Sequence, residues 1–261
     1  MKIAIIGSGN IGSAFVAGLL REGVYQASDI YLSDISLEAL APFAAKGVQT
    51  TLKNVEAVKN AEVVAICVKP YLVRAVIEEI LQSLAAETLL VSFAAGVTLD
   101  NIAQFTGKRP LFRIIPNTAM AVCKSMTCIS ACDSVTAAQK DAIINLFSRV
   151  GKAIYINESL MDAATVIASC GTAFAMRYLR AGMTGGVEIG FRPEIARELI
   201  AQTMLGAAAL IEESDNHPEA EIDKVTTPKG ITIKGLNEME HAGFSSAVMR
   251  GITAAYNKLT G

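Results

Sequence analysis

A glycine-rich turn near the start of the chain has the residue types and spacing of a nucleotide-phosphate site. A strand predicted at 2–6 leads directly into Gly7-Ser8-Gly9-Asn10-Ile11-Gly12, and an acid, Asp34, follows later. In G-x-G-x-x-G the first glycine permits a tight turn, the second lets the backbone approach a pyrophosphate, and the third lets a helix close on the strand. The motif alone is weak evidence. Because it lies between a predicted strand and a predicted helix, it indicates a dinucleotide site.

The same stretch also bears on the choice of dinucleotide. The unpaired N–H groups at the start of the predicted helix 13–22, together with its dipole, favour a bound pyrophosphate. Asp34 follows Ser33 at the end of a second predicted strand, where a carboxylate accepts from a ribose 2′-hydroxyl and repels a 2′-phosphate. No lysine or arginine lies in 33–37. The expected cofactor is therefore NADH or NADPH, with NADH slightly favoured.

The order of elements predicts an α/β first half. Short β-rich runs alternate with helical patterns, which is typical of a doubly wound, largely parallel sheet of the Rossmann type with helices on both faces. The predicted strands are 2–6, 29–33, 62–68, 88–93, 110–115, 127–131 and 152–156. The helices predicted between the early strands are 13–22, 36–46, 53–58 and 70–84.

The second half reads as all-helical. After Asn157 the β-branched runs vanish and apolar residues recur with helical spacing. We therefore expect a dinucleotide-binding domain over 1–157 and a helical substrate and dimerisation domain over 158–261. Because about a hundred residues of helix make only a modest core, we expect a homodimer or higher homo-oligomer formed through the helical domain. The predicted helices are 159–186, 193–214, 218–226, 231–241 and 244–258.

Composition narrows the function classes. The net charge is −2 with no basic run, which argues against nucleic acid and anionic membranes as partners. The apolar runs are interrupted well before the roughly 20 residues of a membrane-spanning helix. Five cysteines without a C-x-x-C pair predict reduced thiols in the cytoplasm, and two histidines offer no metal constellation.

Motifs along almost the whole chain resemble those of the pyrroline-5-carboxylate reductase family, whose members catalyse the last step of proline biosynthesis. The glycine turn and His217-Pro218 stand at the family's positions. The other matching stretches are Cys67-Val68-Lys69-Pro70 (family A-V-K-P), Ser92-Phe93-Ala94-Ala95-Gly96-Val97 (family S-x-A-A-G-V), Arg113-Ile114-Ile115-Pro116-Asn117-Thr118 (family R-x-M-P-N-T) and 225–233 (family V-x-S-P-G-G-T-T-I). The order of the pieces carries the resemblance.

Three departures from the family pattern stand out. Its P-G-G is Pro228-Lys229-Gly230 here, with Ile231 following, and Ala119 replaces the proline after P-N-T. The family's S-G-S-G-P-A-Y is represented by the stretch 168–174. A lysine and an isoleucine at the mouth of a small substrate pocket would narrow the pocket or change which acid it accepts.

The resemblance implies reduction of the cyclic imine 1-pyrroline-5-carboxylate to L-proline by hydride transfer from NAD(P)H. It also implies that the hydroxyl of Thr232 meets the substrate nitrogen. The ring carboxylate would be held by the loop residues Thr226, Thr227, Lys229 and Gly230. The alternative for this loop is an ordinary helix cap. Asn117 is expected beside the substrate.

The remaining cofactor contacts are also implied by the resemblance. Val68, Lys69 and Pro70 would line the ribose and nicotinamide, and the small residues Ala94, Ala95 and Gly96 would let the nicotinamide lie flat. Asn54 would lie near the adenosine, with a plain turn asparagine as the alternative.

The sequence also admits alternative hypotheses for the activity and for single residues, some of which it disfavours. Lys69 could instead be a catalytic lysine, as in ketoacid reductases. Another Rossmann and helical-domain reductase, of a β-hydroxyacid or ketoacid, would need a lysine in the helical domain, yet 159–223 contains none. A non-catalytic dinucleotide sensor is supported only by Lys229 and Ile231. Cys170 has no histidine in its segment, which favours a structural thiol over a nucleophile.

Overall fold

The structure is a computed structural model that describes residues 1–23 and 25–261. These residues form two compact units, one made of 1–170 with 258–261 and the other of 171–257. All the strands of the described residues belong to the first unit, and the second is built of helices.

The first unit is organised around an eight-stranded sheet. Its strands are β1 (Ile3–Ile6), β2 (Ile30–Ser33), β3 (Gln49–Thr51), β4 (Val63–Ile66), β5 (Leu89–Ser92), β6 (Leu111–Ile115), β7 (Ser125–Ala131) and β8 (Gly151–Tyr155). The spatial order is β3-β2-β1-β4-β5-β6-β7-β8, with every neighbouring pair parallel except β6 and β7. Because β1 lies between β2 and β4, the strand order reverses there, and ligands of open α/β sheets bind at that switch point.

Helices cover both faces of this sheet, which confirms the doubly wound prediction. Those of the first unit are α1 (Asn10–Glu22), α2 (Leu37–Ala44), α3 (Asn54–Val58), α4 (Val73–Ile80), α5 (Leu99–Thr106), α6 (Ala137–Ser148) and α7 (Met161–Ala164), followed by a π-helix (Thr165–Cys170). Local chemistry sets several of their ends. Thr98 and Thr136 form capping boxes at the starts of α5 and α6, and Gly23, in a left-handed conformation, ends α1.

Alternating residues along a strand belong to two separate hydrophobic cores, one on each face of the sheet. In β1, Ile3 and Ile5 join the core beneath α1 and α6, whereas Ala4 and Ile6 join the core beneath α4 and α5. In the first core Phe15 stacks on Phe147, with ring centroids 5.1 Å apart. This strand is therefore buried on both faces, as parallel strands between two helical layers must be.

Some elements differ from those expected from the sequence. Strand β3 was not predicted, because its three residues are polar and too few to show a period. Helices α5 and α6 were not predicted either. Helix α1 begins at Asn10, so the last residues of the glycine turn already belong to its first turn. The pattern at 70–84 divides into α4 and two flanking 3-10 helices, Pro70–Leu72 and Leu81–Ser83.

The second unit contains α8 (Gly171–Glu188), α9 (Pro193–Glu213), α10 (Pro218–Lys224), α11 (Ile231–His241) and most of α12 (Phe244–Thr260). Glycines let α8 and α9 approach closely. A Cβ on Gly182 would lie 2.7 Å from Cγ1 of Ile200, and one on Gly186 would lie 3.0 Å from Cβ of Ala196. These glycines are therefore packing positions.

Candidate functional site

The predicted cofactor residues follow strands that end at one edge of the sheet. The pairing register places Ile6 beside both Ser33 and Ile66, and Ile66 beside Ser92. The chain leaves these strand ends at Gly7, Asp34, Cys67 and Phe93. The four loops meet at the carboxyl edge, and the switch point lies between the first and third of them.

The three glycines of the turn differ in what a side chain at each position would meet. Gly7 has φ of +100°, and a Cβ there would lie 2.9 Å from the carbonyl oxygen of Cys67. A Cβ on Gly12 would lie 1.9 Å from the carbonyl oxygen of Gly7, so only glycine lets α1 close on the turn. A Cβ on Gly9 would meet nothing within 4 Å. The space over Gly9 is the part of the turn that is open to a ligand.

The start of α1 is suited to an anion. Gly9 is the N-cap, it supplies no side-chain cap, and the first turn contains no acid. Asn10 and Ile11 are the first two helical residues. The leading N–H groups of a helix have no partner within the helix, so they are available to a phosphate.

Asp34 is tied to the glycine turn. Its Oδ2 accepts the N–H and the hydroxyl of Ser8, both over 2.7 Å, and its Oδ1 accepts the N–H of Ser36 over 3.0 Å. Partial burial raises the pKa of this carboxyl, but the hydrogen bonds from Ser8, Ser36 and Ile35 outweigh that effect and hold the pKa below its ordinary value. Asp34 is therefore ionised at neutral pH.

Asn54 belongs to a hydrogen-bonded chain beside Asp34. The Ser33 hydroxyl donates to Asn54 Oδ1 over 2.8 Å, and Asn54 Nδ2 donates to Glu79 Oε2 over 2.8 Å. Ser33 is fully buried. Both polar atoms of the Asn54 amide are engaged within the protein, which orients the side chain at this edge.

The loops after β4 and β5 lie at the same edge. Val68 is half-buried and Lys69 is exposed as the N-cap of the 3-10 helix that begins with Pro70. After β5, Ala94 is buried and Ala95 is half-buried. Gly96 is exposed with φ of +74°, so the loop turns there with little side-chain bulk.

Asn117 follows the next strand, β6, and is buried. Its Oδ1 accepts the N–H of Ala119 over 3.0 Å, and its Nδ2 donates to the carbonyl oxygen of Ala168 over 2.9 Å. The structure thus ties Asn117 to the π-helix.

The predicted substrate loop lies between α10 and α11. The N–H of Gly230 donates to the carbonyl oxygen of Thr227 over 2.9 Å, which closes a four-residue turn. Lys229, the third residue of the turn, has φ of +59°. Glycine is preferred where a turn needs positive φ, and the family pattern has glycine at this position. The Thr226 hydroxyl donates to the carbonyl oxygen of Ile222 over 2.8 Å.

The turn leads into an uncapped helix start. Gly230 is the N-cap of α11 and provides no side-chain cap. A Cβ at Gly230 would lie 2.5 Å from Thr227 Oγ1, so the Thr227 hydroxyl rests against this glycine. Thr232 is half-buried, and its hydroxyl has no hydrogen-bond partner in the part of the chain that the structure describes. Ile231 is 90% exposed.

The helical unit also contains an apolar cavity of about 880 Å³. Its lining includes Phe174, Tyr178, Met204, Met239, Phe244 and Val248. The continuous helical stretch Glu158–Glu188 is, by length and composition alone, apolar enough to cross a membrane. Of the apolar 18-residue segment within it, 17% is buried.

Sequence reasoning missed two features of the first unit. Ile35, directly after Asp34, is 97% exposed at the cofactor edge. Arg113 is fully buried and forms ion pairs with Glu158 and Asp162. The available signal for Arg113 was a charge inside an otherwise apolar strand.

The sheet, its switch point and the glycine turn define a Rossmann-type fold. Comparisons with known proteins extend this. A family model described as "Pyrroline-5-carboxylate reductase dimerisation" matches residues 158–261, and one described as "NADP oxidoreductase coenzyme F420-dependent" matches residues 2–96.

Individual relatives match almost the whole chain. Pyrroline-5-carboxylate reductase 2 of Dictyostelium discoideum is 38% identical over 98% of this chain and 91% of its own length. Pyrroline-5-carboxylate reductase 1 of the same organism is 37% identical over 98% of this chain, which spans only 49% of that longer protein. The solved pyrroline-5-carboxylate reductase of Coxiella burnetii has a TM-score of 0.88 at 30% identity, covering 99% of this chain and 97% of its own. The chain belongs to the pyrroline-5-carboxylate reductase family.

Proposed function

We propose that the chain reduces 1-pyrroline-5-carboxylate to L-proline with NADH or NADPH, the last step of proline biosynthesis. The observation that carries the proposal is that the similarity to reductases of this family extends over 98% of the chain and so includes both units. The open glycine turn and the uncapped start of α11 are the two structural features that suit the dinucleotide and the imino acid.

The glycine turn would hold the cofactor pyrophosphate. In this proposal Gly7, Gly9 and Gly12 shape the turn. Ser8, Asn10 and Ile11 lie beside the pyrophosphate at the start of α1. The fit is supported by the open space over Gly9 and by the absence of a side-chain cap or acid in the first turn of that helix. When bound, the cofactor supplies the hydride.

Other residues at the edge of the sheet would position the rest of the cofactor. Ser33 and Asn54 would lie near the adenosine, whereas Val68, Lys69 and Pro70 would line the ribose and nicotinamide. Asp34 is ionised, and a carboxylate beside the ribose favours NADH over NADPH. The residues proposed beneath the nicotinamide are Ala94, Ala95 and Gly96.

The loop after α10 would bind the substrate. Thr226, Thr227, Lys229 and Gly230 would surround the ring carboxylate, since the leading N–H groups of α11 and the Lys229 ammonium both favour an anion. The hydroxyl of Thr232 would donate to the imine nitrogen. Its lack of a hydrogen-bond partner among the described residues supports this role.

We further propose a cytoplasmic homo-oligomer, assembled through the helical domain over 158–261, with 1–157 as the dinucleotide-binding domain. The dimerisation model begins at 158, although 158–170 packs with the first unit. The five cysteines are free thiols, which fits a reducing compartment. We assign the exposed apolar side chains of the helical stretch Glu158–Glu188 to contact between subunits, with neither membrane nor nucleic acid as a partner.

The first test is the initial rate of NADH and NADPH oxidation with 1-pyrroline-5-carboxylate, with proline measured as product. We expect turnover with proline formed, and a higher rate with NADH. Tight cofactor binding without oxidation would contradict the proposal and favour a dinucleotide sensor or a reductase of a different acid.

Two variants test the assigned roles. Thr232→Ala should lower turnover far more than it weakens NADH binding, because the hydroxyl acts on the imine; equal losses would contradict its role. Asp34→Ser should shift preference toward NADPH. An unchanged ratio of the two rates would show that Asp34 does not discriminate the ribose.

A further inference from the structure

A buried arginine ties strand β6 to the helical stretch that follows the sheet. The Arg113 side chain is 1% exposed. Its Nη1 lies 3.2 Å from Glu158 Oε1, and its Nη2 lies 2.5 Å from Asp162 Oδ1. Glu158 Oε1 also accepts the N–H of Leu99 at the start of α5. Because a buried charge is tolerated only when it is paired, these contacts fix the beginning of this helical stretch against the sheet.

Asn117 provides a second attachment further along the same stretch. It follows the carboxyl end of β6, and its Nδ2 donates to the carbonyl oxygen of Ala168. Its Oδ1 is occupied by the N–H of Ala119. Since both polar atoms of this buried amide are already engaged, the geometry favours a supporting role over a direct contact with substrate.

The segment held in this way has unusual helical geometry. Ala168 belongs to the π-helix Thr165–Cys170, which separates α7 from α8. The hydrogen bonds of a π-helix span one residue more than those of an α-helix, and π-helical turns are frequently found at functional sites. Arg113 in β6 holds the stretch just before the π-helix, at Glu158 and Asp162, and Asn117 after β6 holds the π-helix itself, at Ala168.

The location of this segment connects it with the reaction. Asn117 leaves β6, and the loop Ala94–Gly96, proposed beneath the nicotinamide, leaves the adjacent parallel strand β5. Both are at the carboxyl edge of the sheet. Support from β6 therefore reaches the π-helix from the edge where hydride transfer is proposed.

We infer that Asn117 is a positioning residue that holds the π-helix Thr165–Cys170 for the reduction, with Arg113 as the second anchor. The inference rests on the proposed function and replaces the expectation that Asn117 binds the substrate itself. A loosened π-helix would misplace the reacting groups and slow the hydride-transfer step, while cofactor binding at the glycine turn would remain.

The first experiment uses Asn117→Asp. This change keeps an acceptor for the Ala119 N–H but removes the donor to Ala168 and places a carboxylate against that carbonyl. We expect kcat to fall by roughly 10- to 100-fold, as small misplacements of reacting groups do, with KM and the Kd for NADH within about twofold. A KM raised about tenfold at unchanged kcat would show direct substrate binding and overturn the inference.

Asn101→Asp is the matched control. Asn101 also caps a helix through its Oδ1, which accepts the N–H of Thr98 at the exposed start of α5. The chemical change is identical, but no contact with the π-helix is involved. We expect its kcat and KM to match those of the wild type.

A double-mutant cycle tests whether the two attachments act on the same segment. Asp162→Asn weakens the Arg113 anchor at a side chain that is 34% exposed, so it tests the inference even if Asn117→Asp folds poorly. If both residues position the π-helix, the double variant should lose less in kcat than the product of the single losses. Independent, multiplicative losses would contradict the inference.

Amide hydrogen exchange over residues 165–170 gives a readout that needs no substrate. Exchange should become faster in Asn117→Asp and Asp162→Asn and remain unchanged in Asn101→Asp. Unchanged exchange in both anchor variants would overturn the inference. If the wild type fails to reduce 1-pyrroline-5-carboxylate, the proposed function fails, whereas this measurement still decides whether Asn117 and Asp162 hold the π-helix.

Discussion

The two units bury their apolar residues to very different extents. The first unit contains two cores on opposite faces of the sheet. In the helical unit only Ala196 belongs to the buried apolar residues among those described, while Met176, Leu205 and Val248 remain 59%, 57% and 45% exposed. A parallel sheet between two helical layers covers its own apolar surface, whereas these helices leave theirs uncovered. The difference supports the proposal that the first unit completes its core within one chain and that the second completes its core against another copy.

The largest expected effect is a change in the first core. Phe15 stacks on Phe147 and meets the edge of Phe93 at a centroid distance of 5.6 Å. Phe15→Ala should lower the free energy of unfolding by about 3–5 kcal/mol, since it leaves a cavity in a closed core. Urea denaturation at a low and a high protein concentration should give the same loss. A loss that depends on concentration would show that this core also relies on a partner.

Val248→Glu is the matching change in the helical unit. Val248 lines the apolar cavity and is already half-exposed in the single chain. We therefore expect a fold retained by circular dichroism but a shift to smaller species in sedimentation velocity, with stability that depends on protein concentration. An oligomer as stable as that of the wild type would contradict the conclusion that the helical unit, unlike the first unit, relies on another copy.

The glycine turn allows stability to be separated from binding within the first unit. In Gly12→Ala the new Cβ would approach the carbonyl oxygen of Gly7 to 1.9 Å, so we expect a loss of about 1–3 kcal/mol in stability together with lost NADH binding. Gly9→Ala meets no atom within 4 Å and should keep the wild-type Tm while weakening NADH binding. Fluorescence titration and thermal melts distinguish the two variants. Unimpaired NADH binding in Gly9→Ala would contradict the proposed pyrophosphate position.

Lys229 permits a similar separation in the helical unit. Lys229→Ala and Lys229→Gly both remove the ammonium, so each should raise KM for the substrate by about tenfold, as the loss of a charged hydrogen bond does. Only glycine relieves the positive φ of +59°, so the glycine variant should be about 1 kcal/mol more stable than the alanine variant. Initial rates and melts provide both numbers. Unchanged KM in both variants would show that the charge does not reach the substrate.

The smallest expected effect concerns the pH dependence at Asp34. Because its pKa is lowered in the folded protein, its stabilising effect is complete above the ordinary value of 3.8 and is lost as the pH falls through the lower folded value. Asp34→Asn should therefore be less stable than the wild type at neutral pH, and the difference should shrink below pH 3.8. Because the side chain is partly exposed, the difference is small. Urea midpoints that differ equally at both pH values would contradict this assignment.

Local patterns in the sequence predicted much of the first unit. The glycine turn, the acid after β2 and the continuous apolar run of β4 depend on neighbouring residues and were recognisable at once. The fold class was confirmed, and the residues assigned to the cofactor follow strands at one edge of the sheet. Strand β3 escaped prediction because it is short and polar, and it is a strand only because β2 offers a partner.

The sequence by itself determined the strand and helix periods, the glycines that the turn requires and the membership of a family. Only the tertiary structure decided which partners the polar groups find: Asp34, which is half-buried, binds Ser8, and the buried Asn117 and Arg113 bind Ala168 and the pair Glu158 and Asp162. Local pattern depends on steric and hydrogen-bonding preferences within a few residues. A partner for a buried charge or amide comes instead from a distant segment, so it is fixed only when the chain packs.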